Sequence, residues 1–72
     1  MPTIISTQII SIPRGNNEDD VTFVFTLDTG DIVRDGPRFM VAGDDQSVKA
    51  ADIGARLLES LAQQEIAQWL SA

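Results

Sequence analysis

The chain has 72 residues, with five basic and eleven acidic side chains, a net charge of −6, and neither cysteine nor histidine. This composition excludes disulfide bonds, the usual zinc ligands and any catalytic arrangement that needs histidine or cysteine. The acidic balance also argues against binding to duplex nucleic acid or to anionic membrane surfaces, because both rely on lysine and arginine.

The length predicts one domain, residues 1–72. A domain of this size buries only about 60% of its unfolded surface, so oligomerisation is the remaining way to stabilise it. The beginning of the sequence has neither the basic region nor the apolar core of a signal peptide, and no run approaches the roughly 20 apolar residues of a membrane span. We therefore expect a soluble, cytoplasmic protein.

Residues 3–12 are rich in β-branched side chains, carry no charge and predict the first strand. Strict alternation places Ile5 and Ile9 on one face and Ile4 and Ile10 on the other. Isoleucines on both faces indicate an interior strand or a strand that pairs with another chain. As an open edge, this strand would promote aggregation.

Residues 14–20 predict a polar loop. Asn17, Glu18, Asp19 and Asp20 carry oxygens of the kind that calcium prefers. Their spacing matches no EF-hand loop, so we expect a solvated connector and no metal site.

Residues 21–28 alternate most regularly and predict the second strand. Its aromatic face, with Phe23 and Phe25, is expected to meet a helix, which leaves Val24 on the opposite face. Asp28-Thr29-Gly30 then suits a short hairpin turn, with Gly30 in the positive-φ conformation.

Residues 31–35 and 38–42 predict two short strands separated by Gly36-Pro37. Met40 is expected on the outer face of the sheet, together with Ile5, Ile9 and Val24. The outer face would then be half apolar.

Residues 47–70 predict one long helix that begins at Ser47 as its N-cap. Its main apolar stripe has three- and four-residue spacing and consists of Val48, Ala51, Ala55, Leu58, Ala62, Ile66 and Trp69. Leu57 and Leu61 widen this stripe, and the apolar arc covers roughly half the circumference, more than a small sheet needs. Ile53 falls outside the stripe, among polar residues, and Gly54 is expected to approach a strand closely.

The order of elements predicts an α+β fold, in which a small antiparallel sheet of three to four strands packs against one C-terminal helix. The excess of apolar surface on both layers predicts contact with a second copy or with another protein. The residues predicted for this interface are Ile5, Ile9, Val24, Leu57, Leu61 and Trp69.

One short segment invites comparison with an enzyme family. Residues 25–30, Phe-Thr-Leu-Asp-Thr-Gly, resemble the Asp-Thr-Gly signature of aspartic proteases, and residues 52–58 are loosely similar to the Ile-Gly-Arg-Asn-Leu-Leu stretch of the retroviral type. The resemblance implies a dimeric hydrolase in which two copies of Asp28 activate water. However, Asp31 stands where that family has Ala or Ser, and the interval between the two segments is shorter. We therefore expect a hairpin turn and no enzyme activity.

The sequence thus predicts a small acidic interaction module without a cofactor, acting as a homodimer or docking on a protein partner. Its build is similar to that of small acidic accessory proteins of phages and mobile elements, and of small bacterial proteins. Its acidic surface is predicted at Glu18, Asp19, Asp20, Asp44 and Asp45. An alternative is an inhibitor or nucleic-acid mimic, which would add Asp28, Asp31 and Asp35 in one row facing a basic groove. A dimeric aspartic hydrolase is the third hypothesis.

Overall fold

The computed structural model describes residues 2–71, which form a three-stranded antiparallel sheet and one helix. The elements are β1 (Ile4–Gly15), β2 (Glu18–Leu27), β3 (Ile32–Val41) and α1 (Gln46–Ser71). The strands lie in the order β1-β2-β3, so β2 is central and the other two are edges. The predicted α+β class, with an antiparallel sheet and a C-terminal helix, is confirmed.

The connection between β1 and β2 is a tight turn and not the predicted seven-residue loop. Asn16 and Asn17 form it with φ values of 56° and 57°. Positive φ at both central residues is the geometry of a type I′ turn, which matches the twist of the flanking strands. Asparagine tolerates this conformation better than most residues, so both strands extend to the turn.

The two short strands predicted around Gly36-Pro37 are one strand, β3. Asp35 and Arg38 pair with β2 residues that are only two apart, so Gly36-Pro37 forms a β-bulge within the strand. Gly36 has a φ of 125°, and a Cβ atom there would lie 2.7 Å from the carbonyl oxygen of Val21. Only glycine fits this position, and the chain continues the sheet instead of leaving it.

One face of the sheet packs against α1 and forms the core. Its buried members are Val21, Phe23, Phe25, Met40, Ala50 and Ile53, and Ile4, Ile9 and Leu57 pack against them. No charged or polar residue is buried within residues 2–70. The core is therefore a single apolar layer between the sheet and the helix.

The predicted outer positions of Ile9 and Met40 are wrong, because bulges interrupt the alternation. Ile4 pairs with Leu27 and Ser6 with Thr26, so Ile5 is an extra residue and Ile4 shares the helix side with Ile9. The bulge in β3 likewise shifts the faces of the residues that follow it, and Met40 enters the core. Ile5 is exposed, and Val24 lies on the outer face, where neighbouring side chains leave it only 8% exposed.

Helix α1 packs with the flank of its apolar arc and not with the centre. Ile53, expected among polar residues, is 7% exposed, and Leu57 packs beside it against the core. At 100° per residue, Ala50, Ile53 and Leu57 point roughly 150° away from the centre of the predicted main stripe. Gly54 lies in the packed flank and lets the helix approach the sheet, as expected.

The helix is longer than the surface it covers. Its 26 residues span about 39 Å, and residues 63–70 are all exposed. The molecule accordingly measures 51 × 19 × 16 Å.

Asp45, and not the predicted Ser47, is the N-cap of the helix. Its Oδ1 accepts hydrogen bonds from the amides of Ser47 (3.1 Å) and Val48 (3.2 Å). Among residues 2–71, no helix has the apolar length needed to cross a membrane.

Candidate apolar interface

Grooves border α1 on several sides, and two of them, on opposite sides of the helix, differ in chemistry. The β1 groove, between α1 and β1, has a volume of about 450 Å³. Its lining includes Ile4, Thr7, Ile9, Ala51, Ala55 and Leu58. None of the described residues that line it is charged, although 22% of the chain is.

The β3 groove, on the other side of α1, has a volume of about 290 Å³ and a charged lining. Five of its residues are charged: Asp35, Arg38, Lys49, Asp52 and Arg56. Polar side chains of this kind are normally hydrated, so this side of the helix is a solvated surface.

Two ion pairs organise the β3 groove. The guanidinium of Arg38 donates two hydrogen bonds to Asp35, one of them from Nη2 to Oδ2 at 3.2 Å. This hydrogen bonding lowers the pKa of the Asp35 carboxyl, with partial burial opposing the shift and the positive charge of Arg38 adding to it. Arg56 and Asp52 approach to 3.4 Å at i,i+4 spacing on the helix.

The two edges of the sheet differ in the same way. β3 carries Arg34, Asp35 and Arg38 and contains the Gly36-Pro37 bulge, which are the features that keep an edge strand from pairing. β1 has no charged residue before Arg14, and its irregularities lie near its ends, at Ile5 and Arg14, so residues 6–12 form a regular, uncharged stretch. We call the β1 edge, the β1 groove and the adjoining helix residues Ala51, Ala55 and Leu58 the apolar flank.

No protein-family model, curated protein or solved structure matches this chain. The inference of function therefore depends on the geometry. In that geometry, the apolar flank stands out because it combines an unguarded strand edge with an uncharged groove.

The six residues predicted for the interface do not form one surface. Ile9 and Leu57 pack against the core, and Leu61 is half-buried on the packed side of α1. Val24 is buried on the outer sheet face, whereas Ile5 and Trp69 are exposed. Of these six, Ile9 lines the β1 groove.

Sequence reasoning missed Thr7, Ala51 and Ala55 as interface candidates. The signal was present for the two alanines, because both belong to the predicted main stripe, which the helix turns away from the core. Thr7 had no distinguishing signal, since its role follows from the position of β1 at an edge.

Other apolar side chains are exposed outside the flank. Ile66, Trp69 and Leu70 lie at the helix end that projects past the sheet, where Trp69 is 78% exposed. On the outer sheet face, Phe39 is exposed and the Arg14 guanidinium lies 5.4 Å from the centre of its ring.

The five residues of the predicted acidic surface lie at one end of the sheet, around the start of β2 and in the loop before α1. Glu18 and Asp19 pair with the end of β3, and the amide of Asp44 donates to the carbonyl of Val41, so the loop before the helix joins them there. Asp20 forms an ion pair with Arg14 at 3.6 Å. Asp45 caps the helix as described above.

Asp28 and Asp31 belong to the turn between β2 and β3, at the opposite end of the sheet. Within residues 2–71, no group of three or more acidic side chains is arranged to hold a metal ion. The carboxylates therefore form separate groups and not one row.

Asp28 has a structural part in this turn. Its Oδ1 accepts a hydrogen bond from the amide of Thr3 at 3.1 Å. Thr29 Oγ1 donates to Asp31 Oδ2 at 2.9 Å, and Gly30 has a φ of 91°. The Asp-Thr-Gly segment thus forms the hairpin turn that the sequence predicts, with its carboxylates exposed.

Proposed function

We propose that this protein is a non-enzymatic interaction module that binds another polypeptide chain through its apolar flank. The observation that carries the proposal is the contrast between the two sides of α1. On one side, an uncharged groove lies beside β1, an edge strand without charge before Arg14. On the other side, a charged groove lies beside β3, an edge strand with three charged side chains and a bulge in its middle.

The physical chemistry of the flank supports this function. An edge strand offers a row of backbone donors and acceptors that a second chain satisfies by pairing. An apolar groove next to that edge adds the burial of side chains, at about 25 cal/mol for each Å² removed from water. Backbone pairing and apolar burial then act on the same partner.

The alternative functions have less support from the geometry. A nucleic-acid mimic needs its carboxylates in one row, and here they lie at opposite ends of the sheet or in ion pairs with arginine. A hydrolase needs Asp28 as an activated group, and here its carboxylate accepts a hydrogen bond from the amide of Thr3, next to the start of β1.

The proposal is tested by capture with matched charge variants. Tagged wild-type protein, Ala55→Glu and Gln63→Glu are each used to capture partners from a lysate of the source organism, with an untagged copy of the chain added. Both variants gain one negative charge. They differ in its position, because Ala55 lies in the apolar flank and Gln63 is exposed on the polar side of the same helix. We expect Ala55→Glu alone to lose the captured chain. Equal capture by all three proteins, or none by any, would contradict the proposal.

A further inference from the structure

We infer that the chain bound by the apolar flank is a second copy of this protein. In this inference, which rests on the proposed function, β1 pairs antiparallel with β1 of the other copy across a two-fold axis. The product is one six-stranded sheet with two antiparallel helices on the same face.

The first argument concerns the edges. A continuous antiparallel sheet can grow from either edge strand, but β3 is guarded by three charged side chains and a bulge. β1 has its own irregularities at Ile5 and Arg14, but the stretch between them, residues 6–12, is regular and uncharged, and within residues 2–71 no strand pairs with its outer side. A two-fold dimer uses the β1 edges of both copies and leaves only guarded edges outside, so the assembly closes at two.

The second argument concerns the helices. A Cβ atom on Gly54 would meet Ile4 of β1 and Phe25 of β2, so α1 runs above the boundary between these strands. In the dimer, two such boundaries are two strand spacings, or about 10 Å, apart. The axes of two packed helices usually lie about 8–10 Å apart, and the shorter distances require small side chains at the contact. Ala51 and Ala55 are small and lie on the side of α1 that faces the axis.

The third argument is electrostatic. Each copy has a net charge of −6, so two copies associate most readily where neither presents a carboxylate. The apolar flank meets this condition, because neither its strand before Arg14 nor its groove lining carries charge. The β3 groove carries five charged side chains, three basic and two acidic, and burying them against a second copy would cost their hydration.

The fourth argument is area. Nine residues of β1 span about 30 Å, and the two short dimensions of the molecule are 19 and 16 Å. The flank therefore presents roughly 500 Å² in projection, and accessible area exceeds projected area. A specific interface buries at least about 1,000 Å² in total, or about 500 Å² per partner, so the flank reaches the lower end of the range for a dimer.

Sedimentation equilibrium tests the position of the interface. Thr7→Lys puts like charges close to the proposed axis, whereas Ile32→Lys adds the same charge to the exposed part of the other edge strand. We expect a dimer for the wild type, at least a tenfold higher dissociation constant for Thr7→Lys, and less than a twofold change for Ile32→Lys. Circular dichroism verifies that both variants are folded. Equal weakening by both substitutions would overturn the inference.

Disulfide cross-linking supplies a second measurement, because the wild-type chain has no cysteine. Ser6→Cys, Thr7→Cys and Gln8→Cys place a thiol at exposed positions near the middle of the uncharged segment, and Arg34→Cys places one on β3. Under mild oxidation, we expect cross-linked dimers from at least one β1 variant and not from Arg34→Cys. The opposite result would assign the interface to the other edge.

The outcomes separate this inference from the proposed function. If the wild type is monomeric at all concentrations but still captures another protein, and Ala55→Glu loses it, the flank binds a different chain and the inference fails alone. If the wild type neither dimerises nor captures any chain, both fail. A dimer that cross-links through β1 and is weakened by Ala55→Glu supports both.

Discussion

Gly54 of α1 lies directly against the ring of Phe25, so that a Cβ atom added to the glycine would sit 3.3 Å from Cε1 of that ring. The same atom would lie 3.0 Å from Cδ1 of Ile4. At an exposed helix position, replacing Gly by Val gains a few tenths of a kcal/mol in helix propensity. Any net loss from Gly54→Val therefore measures the overlap with the sheet.

We expect Gly54→Val to lower the free energy of unfolding by about 2 kcal/mol, because Phe25 is fully buried and cannot move aside. Urea denaturation at a fixed protein concentration provides the measurement. Gln63→Val introduces the same side chain at an exposed position and should change the free energy by less than about 0.5 kcal/mol. A midpoint for Gly54→Val at or above that of the wild type would contradict the close packing.

Two phenylalanines on opposite faces of the sheet provide a matched pair. Phe23 is 0% exposed in the core, whereas Phe39 is 56% exposed on the outer face. We expect Phe23→Ala to cost about 3–5 kcal/mol and Phe39→Ala about 1 kcal/mol, the latter mainly through its contact with Arg14. A domain of this length has only about 4–11 kcal/mol in total, so the milder Phe23→Leu serves if Phe23→Ala does not fold. Equal costs for the two alanine variants would contradict the assignment of faces.

Hydrophobic periodicity was enough to predict the fold class, because the alternation in β2 and the long helical pattern are both strong. The rotation of α1 could not be predicted from the same pattern. When apolar residues cover half a helix, several faces can pack, and the choice depends on which one lets the backbone come close. Gly54 decides it by admitting the ring of Phe25, and Ile53 is then buried.

The candidate site was predictable only in part. Trp69 belongs to the helical pattern, but the pattern does not show where the sheet ends, and Trp69 lies beyond that end. We now expect Trp69→Ala to change the stability of a single copy by less than about 0.5 kcal/mol. The one-residue bulge at Ile5 could not be predicted from the sequence pattern either. Strict alternation assigns Ile4 and Ile9 to different faces, whereas the bulge puts them on the same face.

The ion pair between Asp35 and Arg38 predicts a specific pH dependence. Hydrogen bonding to Arg38 holds the pKa of Asp35 below its ordinary value of 3.8. Since the folded pKa is the lower one, the stabilisation is present above the unfolded pKa and is lost as the pH falls through the folded pKa. The pair is largely open to solvent, which screens the attraction, so its contribution at neutral pH should be small.

We therefore expect Asp35→Asn to be slightly less stable than the wild type at pH 7, with the difference disappearing below about pH 3.8. Urea midpoints measured between pH 7 and pH 3 provide the test. In an Arg38→Gln background, Asp35→Asn should have a smaller effect at neutral pH. If the stability difference between the wild type and Asp35→Asn grew as the pH fell, the prediction would be wrong.

Asp28→Asn tests the structural role of the Asp-Thr-Gly turn. Asparagine keeps an oxygen that can accept the hydrogen bond from the Thr3 amide, so we expect the free energy of unfolding to change by less than about 0.5 kcal/mol. In the proposed dimer, the two Asp28 side chains lie at opposite ends of the sheet, too far apart to share a proton. Peptide hydrolysis at acid pH by the wild type, abolished in Asp28→Asn, would instead support the hydrolase.

Salt dependence distinguishes an uncharged interface from one built on ion pairs. Two copies that each carry −6 repel one another, and dissolved ions screen that repulsion, with a Debye length of about 10 Å at 0.1 M and about 3 Å at 1 M. The apolar flank has no ion pair to lose, so we expect the dissociation constant of the dimer to fall several-fold between about 0.1 M and about 1 M sodium chloride, as the Debye length shortens. Ile32→Lys should show a weaker salt dependence, because it lowers the net charge of each copy. A dissociation constant that rises with salt would mean that charged groups, and not the uncharged edge of β1, hold the two copies together.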